Sequence, residues 1–198
     1  DAESAVLDEL AFYKLNKFYN NYGALPKSWW RPDGHFAALH AALGRATARY
    51  GGAVRTAVML NPYYHFEFEP QEEKLSAEAR GLFSHADPDS LEKIKNVFRL
   101  GLDHGAGTVM LCADDFVPHA GTTLGEYTLF TDLDKARFIN LAEAQAYLLS
   151  ELLSWLDKEY PGTRLEFCPA PYLNQFIDRS MGSAIRGRIF SADSTESV

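Results

Sequence analysis

Residues 108–119 read "TVMLCADDFVPH", an apolar run that ends in two adjacent carboxylates, Asp114 and Asp115. A short, nearly continuous apolar run is typical of a strand that is buried on both faces of a parallel sheet. Two neighbouring like charges are costly unless water, a partner or a substrate interacts with them. The run therefore ends either in an ordinary acidic loop or at the working edge of an enzyme.

Short apolar segments alternate with helical patterns on both sides of this run. Strands are predicted at 15–22, 53–62, 107–113 and 161–169, and helices at 4–14, 35–50, 88–105 and 133–159. Strict alternation predicts crossover units and a parallel sheet, hence an α/β fold. The loops before the strands ("YGGA", "HGAG", "YPGT") are tight, whereas those after the strands are long. This asymmetry favours a partial (β/α)8 TIM-type barrel with about four strand–helix units. A doubly wound open sheet is the alternative, although no glycine-rich phosphate-binding pattern follows a strand.

Length and composition indicate one globular domain. The chain has 198 residues, 46% of them hydrophobic, and a formal net charge of −8 without a basic run. Nucleic acid is therefore an unfavourable partner. No segment approaches the roughly 18 consecutive apolar residues that a membrane span needs, so no membrane is expected either. We expect residues 1–179 to form the partial barrel and the Ser/Gly/Arg-rich residues 180–198 to form a poorly ordered tail. The sequence does not indicate a compartment.

Two groups of residues are candidates for metal or disulfide sites. Cys112 and Cys168 each lie inside an apolar strand-like run, which favours two buried thiols over a disulfide or a metal site. The segment "HFEFE" places His65, Glu67 and Glu69 on one side if it is a strand, but no other His or Cys is obviously paired with them. An exposed loop edge is the better interpretation. We therefore expect no metal and no cofactor.

The acid pair has a chemistry of its own. Adjacent strand residues point to opposite faces, so Asp114 and Asp115 share a site only where the chain leaves strand geometry. Within one cavity, repulsion raises one pKa and leaves a proton donor beside a carboxylate, a division that suits glycoside cleavage. The candidate substrate-binding residues in neighbouring loops are Trp30 and Tyr63, which follow two predicted strands, and Asn174, a weaker candidate in a later loop.

Four segments together resemble a known family. "KLNKFYNNY", "GTVMLCADD", "LAEAQAYLLSELLSWL" and "PGTRLEFCPAPY", in this order and spacing, are similar to the catalytic barrel of glycoside hydrolase family 84. These are retaining β-N-acetylglucosaminidases, which include bacterial enzymes once called hyaluronidases and enzymes that remove O-linked N-acetylglucosamine (GlcNAc) from proteins. The resemblance implies that Asp114 orients the substrate's 2-acetamido group and that Asp115 is the general acid and then the general base. It also implies that Tyr172 reaches into the acetamide pocket.

The resemblance has consequences for function and for partners. It implies hydrolysis of terminal β-linked GlcNAc through an oxazoline, on a carbohydrate or glycoprotein substrate. It also implies a first strand before residue 1 and later strands that hold the sugar hydroxyls, so this chain by itself could be inactive. A non-catalytic or degenerate carbohydrate-binding barrel fragment is therefore the alternative. Four strand–helix units leave two unpaired sheet edges, from which we expect residues 1–198 to be either marginally stable or self-associating.

Overall fold

The computed structural model describes residues 2–21, 34–62, 83–113 and 131–169 of the chain. Within these ranges helices and strands alternate as the sequence predicts, except that two helices stand between the third and the fourth strand. In chain order they are α1 (Ala2–Phe12), β1 (Lys17–Asn21), α2 (Gly34–Ala48), β2 (Arg55–Leu60), α3 (Pro88–Leu102), β3 (Thr108–Cys112), α4 (Asp132–Arg137), α5 (Leu141–Glu159) and β4 (Arg164–Cys168).

The four strands form one parallel sheet. Their order is β1-β2-β3-β4, so each strand pairs with the next one in the sequence. A doubly wound sheet reverses its order at a switch point, whereas a (β/α) barrel adds each new strand on the same side. The described strands show no reversal. The predicted fold class, an α/β fold with four strand–helix units of a partial barrel, is confirmed.

The sheet is curved, and side chains show the curvature. Partners in a parallel ladder point to the same side of the sheet, which places Lys17 of β1 and Glu166 of β4 on one face. In a flat sheet these outer strands would be about 14 Å apart, three spacings of about 4.8 Å. Strand side chains stand nearly perpendicular to a sheet. Yet Lys17 Nζ lies 2.7 Å from Glu166 Oε1, so the face that carries them is concave.

The opposite, convex face carries the hydrophobic core. Val58, Leu60, Val109 and Leu111 of the two central strands are fully buried there, beneath α3 and α5. The helices contribute a further apolar layer: Ile94, Val97, Phe98, Leu148, Leu152 and Leu156. A smaller cluster, around Leu7 and Leu43, joins α1 to α2. Because the core lies between sheet and helices, the concave face is available for polar groups.

The tight connections before the strands are built as the sequence predicts. Gly105 and Gly162 both have φ of 86°, in the left-handed region that residues with a side chain rarely adopt. Each glycine follows the C-terminal end of a helix and reverses the chain into the next strand. The start of α3 is also determined by neighbouring residues. Asp87 is its N-cap, and its side chain accepts hydrogen bonds from the N–H groups of Asp89 and Ser90.

The single helix predicted over 133–159 is wrong, because the chain forms two helices. Phe138 is extended, with φ −119° and ψ 142°, and its side chain is buried. Asn140 then begins α5 as its N-cap, accepting a hydrogen bond from the Glu143 N–H at 2.9 Å. The Glu143 carboxylate in turn accepts from the Ile139 N–H at 2.8 Å. As a result the Ile139 side chain, which one continuous helix would have placed on its apolar side, is 72% exposed.

Two further expectations concern the ends and the environment of the chain. The tail predicted at 180–198 lies outside the described residues, so the domain boundary at 179 stays a prediction. Within the described part of the chain, no helix has the length and apolar character that crossing a membrane requires.

Candidate functional site at the carboxyl edge of the sheet

The carboxyl ends of the four parallel strands lie at one edge of the sheet, where (β/α) barrels carry their active sites. The strand β3 pairs with β2 on one side and with β4 on the other, so its end is flanked by two further strand ends. Ala113, the residue after β3, is fully buried and donates its N–H to the Cys168 carbonyl at 2.8 Å. This edge is therefore held in register as far as the residue before the predicted acid pair.

A polar network crosses the concave face between the two outer strands. Lys17 Nζ contacts Glu166 Oε1 at 2.7 Å, and the Tyr19 hydroxyl donates to the other carboxylate oxygen of Glu166. Lys17 also lies over the Tyr19 ring, 5.2 Å from its centre. Both oxygens of one carboxylate on β4 are thus engaged by alternate residues of β1. The network fixes the distance between the two strands across the concave face.

The charges in this network support one another. Burial opposes ionisation of Glu166, but its hydrogen bonds to Lys17 and Tyr19 outweigh that effect and lower the pKa of the carboxyl group. The hydrogen bond to Glu166 raises the pKa of Lys17. The same carboxylate raises the pKa of Tyr19 and so keeps its hydroxyl protonated. At neutral pH the network contains a carboxylate, an ammonium group and a neutral phenol. The network is therefore a structural polar group, and none of its three side chains changes protonation near pH 7.

A buried carboxylate on α4 joins this helix to residues 84–86, the segment that precedes α3. Asp134, on α4, has no exposed surface. Its oxygens accept from the Ser84 hydroxyl at 3.0 Å, from the Ala86 N–H at 2.9 Å and from the His85 N–H at 3.2 Å. The His85 ring Nδ1 lies 3.3 Å from the same carboxylate. We call this group the Asp134 lock.

The Asp134 lock contains Ser, His and Asp but does not have the geometry of a nucleophilic triad. In a triad the imidazole lies between the serine and the carboxylate. Here Ser84 and His85 each bind the carboxylate of Asp134 directly. Burial opposes ionisation of Asp134, but the His85, Ala86 and Ser84 contacts together lower its pKa. The lock is therefore a structural group, in which an ionised Asp134 holds the segment before α3 against α4.

A second buried histidine supports β1 from the convex side. The His40 ring on α2 lies 3.1 Å from the Asn20 amide nitrogen, and Phe36 packs edge-on against the ring at 4.5 Å. Burial, with a smaller effect of His104, lowers the pKa of His40 to about 4. The imidazole is therefore neutral at pH 7 and positions Asn20 near the end of β1. It lies on the side of the sheet away from the concave face.

The residues that the sequence proposed for the site are not among those that the structure describes. Asp114, Asp115, Trp30, Tyr63, Tyr172 and Asn174 all lie outside the described ranges, as do His65, Glu67 and Glu69. Their assigned roles stay predictions. Across residues 2–21, 34–62, 83–113 and 131–169, no group of three or more His, Cys, Asp or Glu side chains could hold a metal ion.

Comparison with known proteins gave a structural likeness and no sequence match. No family model matches the chain, and no curated protein sequence matches it. Among solved structures, a mutant of an O-GlcNAc hydrolase from Thermobaculum terrenum is similar, with a TM-score of 0.61 and 17% sequence identity. The likeness covers 87% of this chain and 32% of the other, so this chain spans about a third of that protein's length. This likeness shows the fold.

Sequence reasoning missed the polar network and the Asp134 lock. A signal for the network was present, because Lys17, Tyr19 and Glu166 are polar residues inside segments predicted as strands of a parallel sheet. Such residues are expected to be paired or to face a cavity. The lock had a weaker signal. Thr131 and Asp134 begin α4 in the pattern of an N-cap, with the Asp134 N–H donating to Thr131 Oγ1 at 3.1 Å, but nothing in the sequence indicates Ser84 and His85 as partners.

Proposed function

We propose that this chain is a retaining β-N-acetylglucosaminidase domain that hydrolyses terminal β-linked GlcNAc by substrate-assisted catalysis. The observation that supports this proposal is the fold likeness to an O-GlcNAc hydrolase over 87% of the chain. Asp114 and Asp115 follow β3 and Ala113 directly in the sequence. A pair of carboxyl groups that follows a central barrel strand suits glycoside cleavage.

In the proposed mechanism the substrate supplies its own nucleophile. The 2-acetamido oxygen attacks the anomeric carbon, while Asp114 accepts a hydrogen bond from the acetamide N–H and Asp115 protonates the departing oxygen. Asp115 then takes a proton from the water that opens the oxazoline on the face the leaving group left, so configuration is retained. Tyr172, Trp30, Tyr63 and Asn174 would hold the sugar. If the two carboxyl groups share one cavity, their repulsion keeps one of them protonated, as a general acid needs.

A leaving-group experiment tests the two roles separately. Asp115→Asn should slow hydrolysis of an aryl β-GlcNAc with a poor leaving group by about 10²–10⁴-fold, because the departing oxygen then receives no proton. An aryl β-GlcNAc with a good leaving group should be far less affected. Asp114→Asn should slow both substrates, because attack by the acetamide is impaired in each case. Asp157→Asn, an exposed change on α5, is the matched control and should leave both rates unchanged.

Equal losses for both substrates in the Asp115 variant would contradict its assignment as the acid. Binding of a stable thiazoline that mimics the oxazoline addresses the alternative function. A catalytic site should bind this mimic much more tightly than free GlcNAc, because the mimic resembles the intermediate. Equal, weak binding of both, with no turnover, would identify a carbohydrate-binding or degenerate barrel module instead.

A further inference from the structure

Both cysteines of the chain end neighbouring strands at the carboxyl edge. Cys112 is the last residue of β3 and Cys168 the last residue of β4, and the two are direct partners in the parallel ladder. Partners in a parallel ladder point to the same face, and the alternation along β4 places Cys168 on the concave face with Glu166. Both are thiols in this structure, Cys112 buried and Cys168 partly exposed. The two side chains are therefore adjacent.

The spacing of adjacent strands brings this pair within reach of a covalent bond. Neighbouring strands lie about 4.8 Å apart, and disulfides join residues whose Cα atoms are about 4.4–6.8 Å apart. The Cβ atoms of a disulfide must also approach to about 3.5–4.5 Å. Parallel Cα–Cβ bonds keep the Cβ atoms close to the strand spacing, so closure requires the two strand ends to draw together slightly. A bond between the two sulfur atoms would therefore be strained.

We propose that Cys112 and Cys168 form a reversible dithiol–disulfide site, which low-molecular-weight disulfides such as glutathione disulfide close. The Cys168 thiolate, from the more exposed side chain, attacks one sulfur of glutathione disulfide and releases one glutathione thiolate. The Cys112 thiolate then attacks Cys168 Sγ in the mixed disulfide and releases the second. The two cysteines lose two electrons, the oxidant gains them, and the two protons of the protein thiols pass to the two glutathione molecules.

Strain makes this a labile bond instead of a permanent one. Strained disulfides have more oxidising potentials and are reduced more easily than unstrained structural ones. Closure would also act on the edge itself, because the Ala113 N–H is hydrogen-bonded to the carbonyl of Cys168 at 2.8 Å. Movement of the two strand ends would therefore be transmitted to Ala113, the last described residue before Asp114. This inference does not depend on the proposed glycosidase activity.

Redox titration of the folded full chain tests the site. The chain is equilibrated in glutathione buffers of increasing disulfide fraction, quenched with acid, denatured and alkylated, and its peptides are weighed by mass spectrometry. We expect both alkylatable thiols to be lost together, with one intramolecular link between the peptides of Cys112 and Cys168 and a mass lower by two hydrogen atoms. Excess reduced glutathione should restore both thiols. Since the chain has two cysteines, the assignment is unambiguous.

Single variants separate the two steps. Cys112→Ser should stop at a stable glutathione adduct on Cys168, because the second thiol is absent. Cys168→Ser should leave the buried Cys112 thiol unmodified while the chain is folded. Circular dichroism establishes whether each variant folds, and the wild-type masses decide the question if one does not. Two reduced thiols at every buffer ratio, a persistent glutathione adduct in the wild type, or a link between two chains would each overturn the proposal.

Discussion

Asp134 has no exposed surface, yet its pKa is lowered, which is the opposite of what burial alone would do. Four contacts from three consecutive residues, Ser84, His85 and Ala86, account for the reversal. A buried charge is tolerated only when such partners replace its water. The Asp134 lock therefore converts a costly group into an anchor that holds the segment before α3 against α4.

The lock makes stability depend on pH in a predictable direction. A carboxyl group whose pKa is lower when folded than its unfolded value of about 3.9 contributes stability above that value. The contribution is lost as the pH falls through the lower, folded pKa. Asp134→Asn should cost about 1.5–3 kcal/mol at pH 7, the effect of losing hydrogen bonds to a buried charged group. Urea unfolding at a series of pH values should show this difference shrinking below about pH 4.

The exposed Asp157→Asn change provides the comparison, and should alter the free energy of unfolding by less than about 0.5 kcal/mol. A difference between wild type and Asp134→Asn that stays constant down to the acid transition would show that the charge of Asp134 is not what stabilises the fold. Hydrogen-bond geometry, which asparagine partly reproduces, would then be the cause.

At the scale of elements, α3 approaches the sheet closely at one residue. A Cβ atom on Gly101 would lie 2.1 Å from Val58 Cγ2 on β2 and 3.1 Å from His40 Nδ1 on α2. Carbon atoms in contact are normally about 3.5–4.0 Å apart, so even one methyl group cannot be accommodated without movement. Three elements thus meet at a residue without a side chain.

Gly101→Ala should therefore destabilise the fold although alanine is the better helix former. Overpacking a well-filled core costs about 1–3 kcal/mol, which exceeds the gain of about 1 kcal/mol in helix propensity. Thermal and urea unfolding of the variant measure the net effect. Gly34→Ala is the matched control, because a Cβ atom there has no neighbour within 4 Å among the described residues. Its stability should be unchanged or slightly higher, and equal losses in both variants would contradict the packing argument.

Local signals in the sequence predicted the helices and strands well. They did not predict contacts between residues that are distant in the chain. Apolar runs and positive-φ glycines such as Gly105 act within a few residues, so strands, turns and strand order could be inferred. The break between α4 and α5 also had a local signal. Asn140 and Glu143, at the start of α5, have the spacing of a capping box. The salt bridge from Lys17 to Glu166 joins residues 149 positions apart. Only the curvature of the finished sheet brings them together, so no local pattern could reveal it.

At the scale of the whole molecule, the concave face has a polar part and an apolar part. Lys17, Tyr19 and Glu166 form its polar network, whereas Met59 and Met110, in the same ladder row as Glu166, leave half-buried apolar surface beside it. Among the described strands, β1 and β4 each pair on one side. Open strand edges and contiguous apolar surface both favour association with another chain. The charged network keeps the face from being a simple hydrophobic patch.

We therefore propose that residues 1–198 self-associate in solution through these edges and the concave face. Light scattering over a dilution series should show a mass that rises with concentration, accompanied by binding of a dye that reports exposed apolar surface. Met110→Lys should weaken the association, because it places a charge in the apolar row next to Glu166. Leu153→Lys, on the exposed side of α5, should have no such effect. A constant monomer mass with cooperative unfolding and no dye binding would mean that the concave face is already covered within one chain.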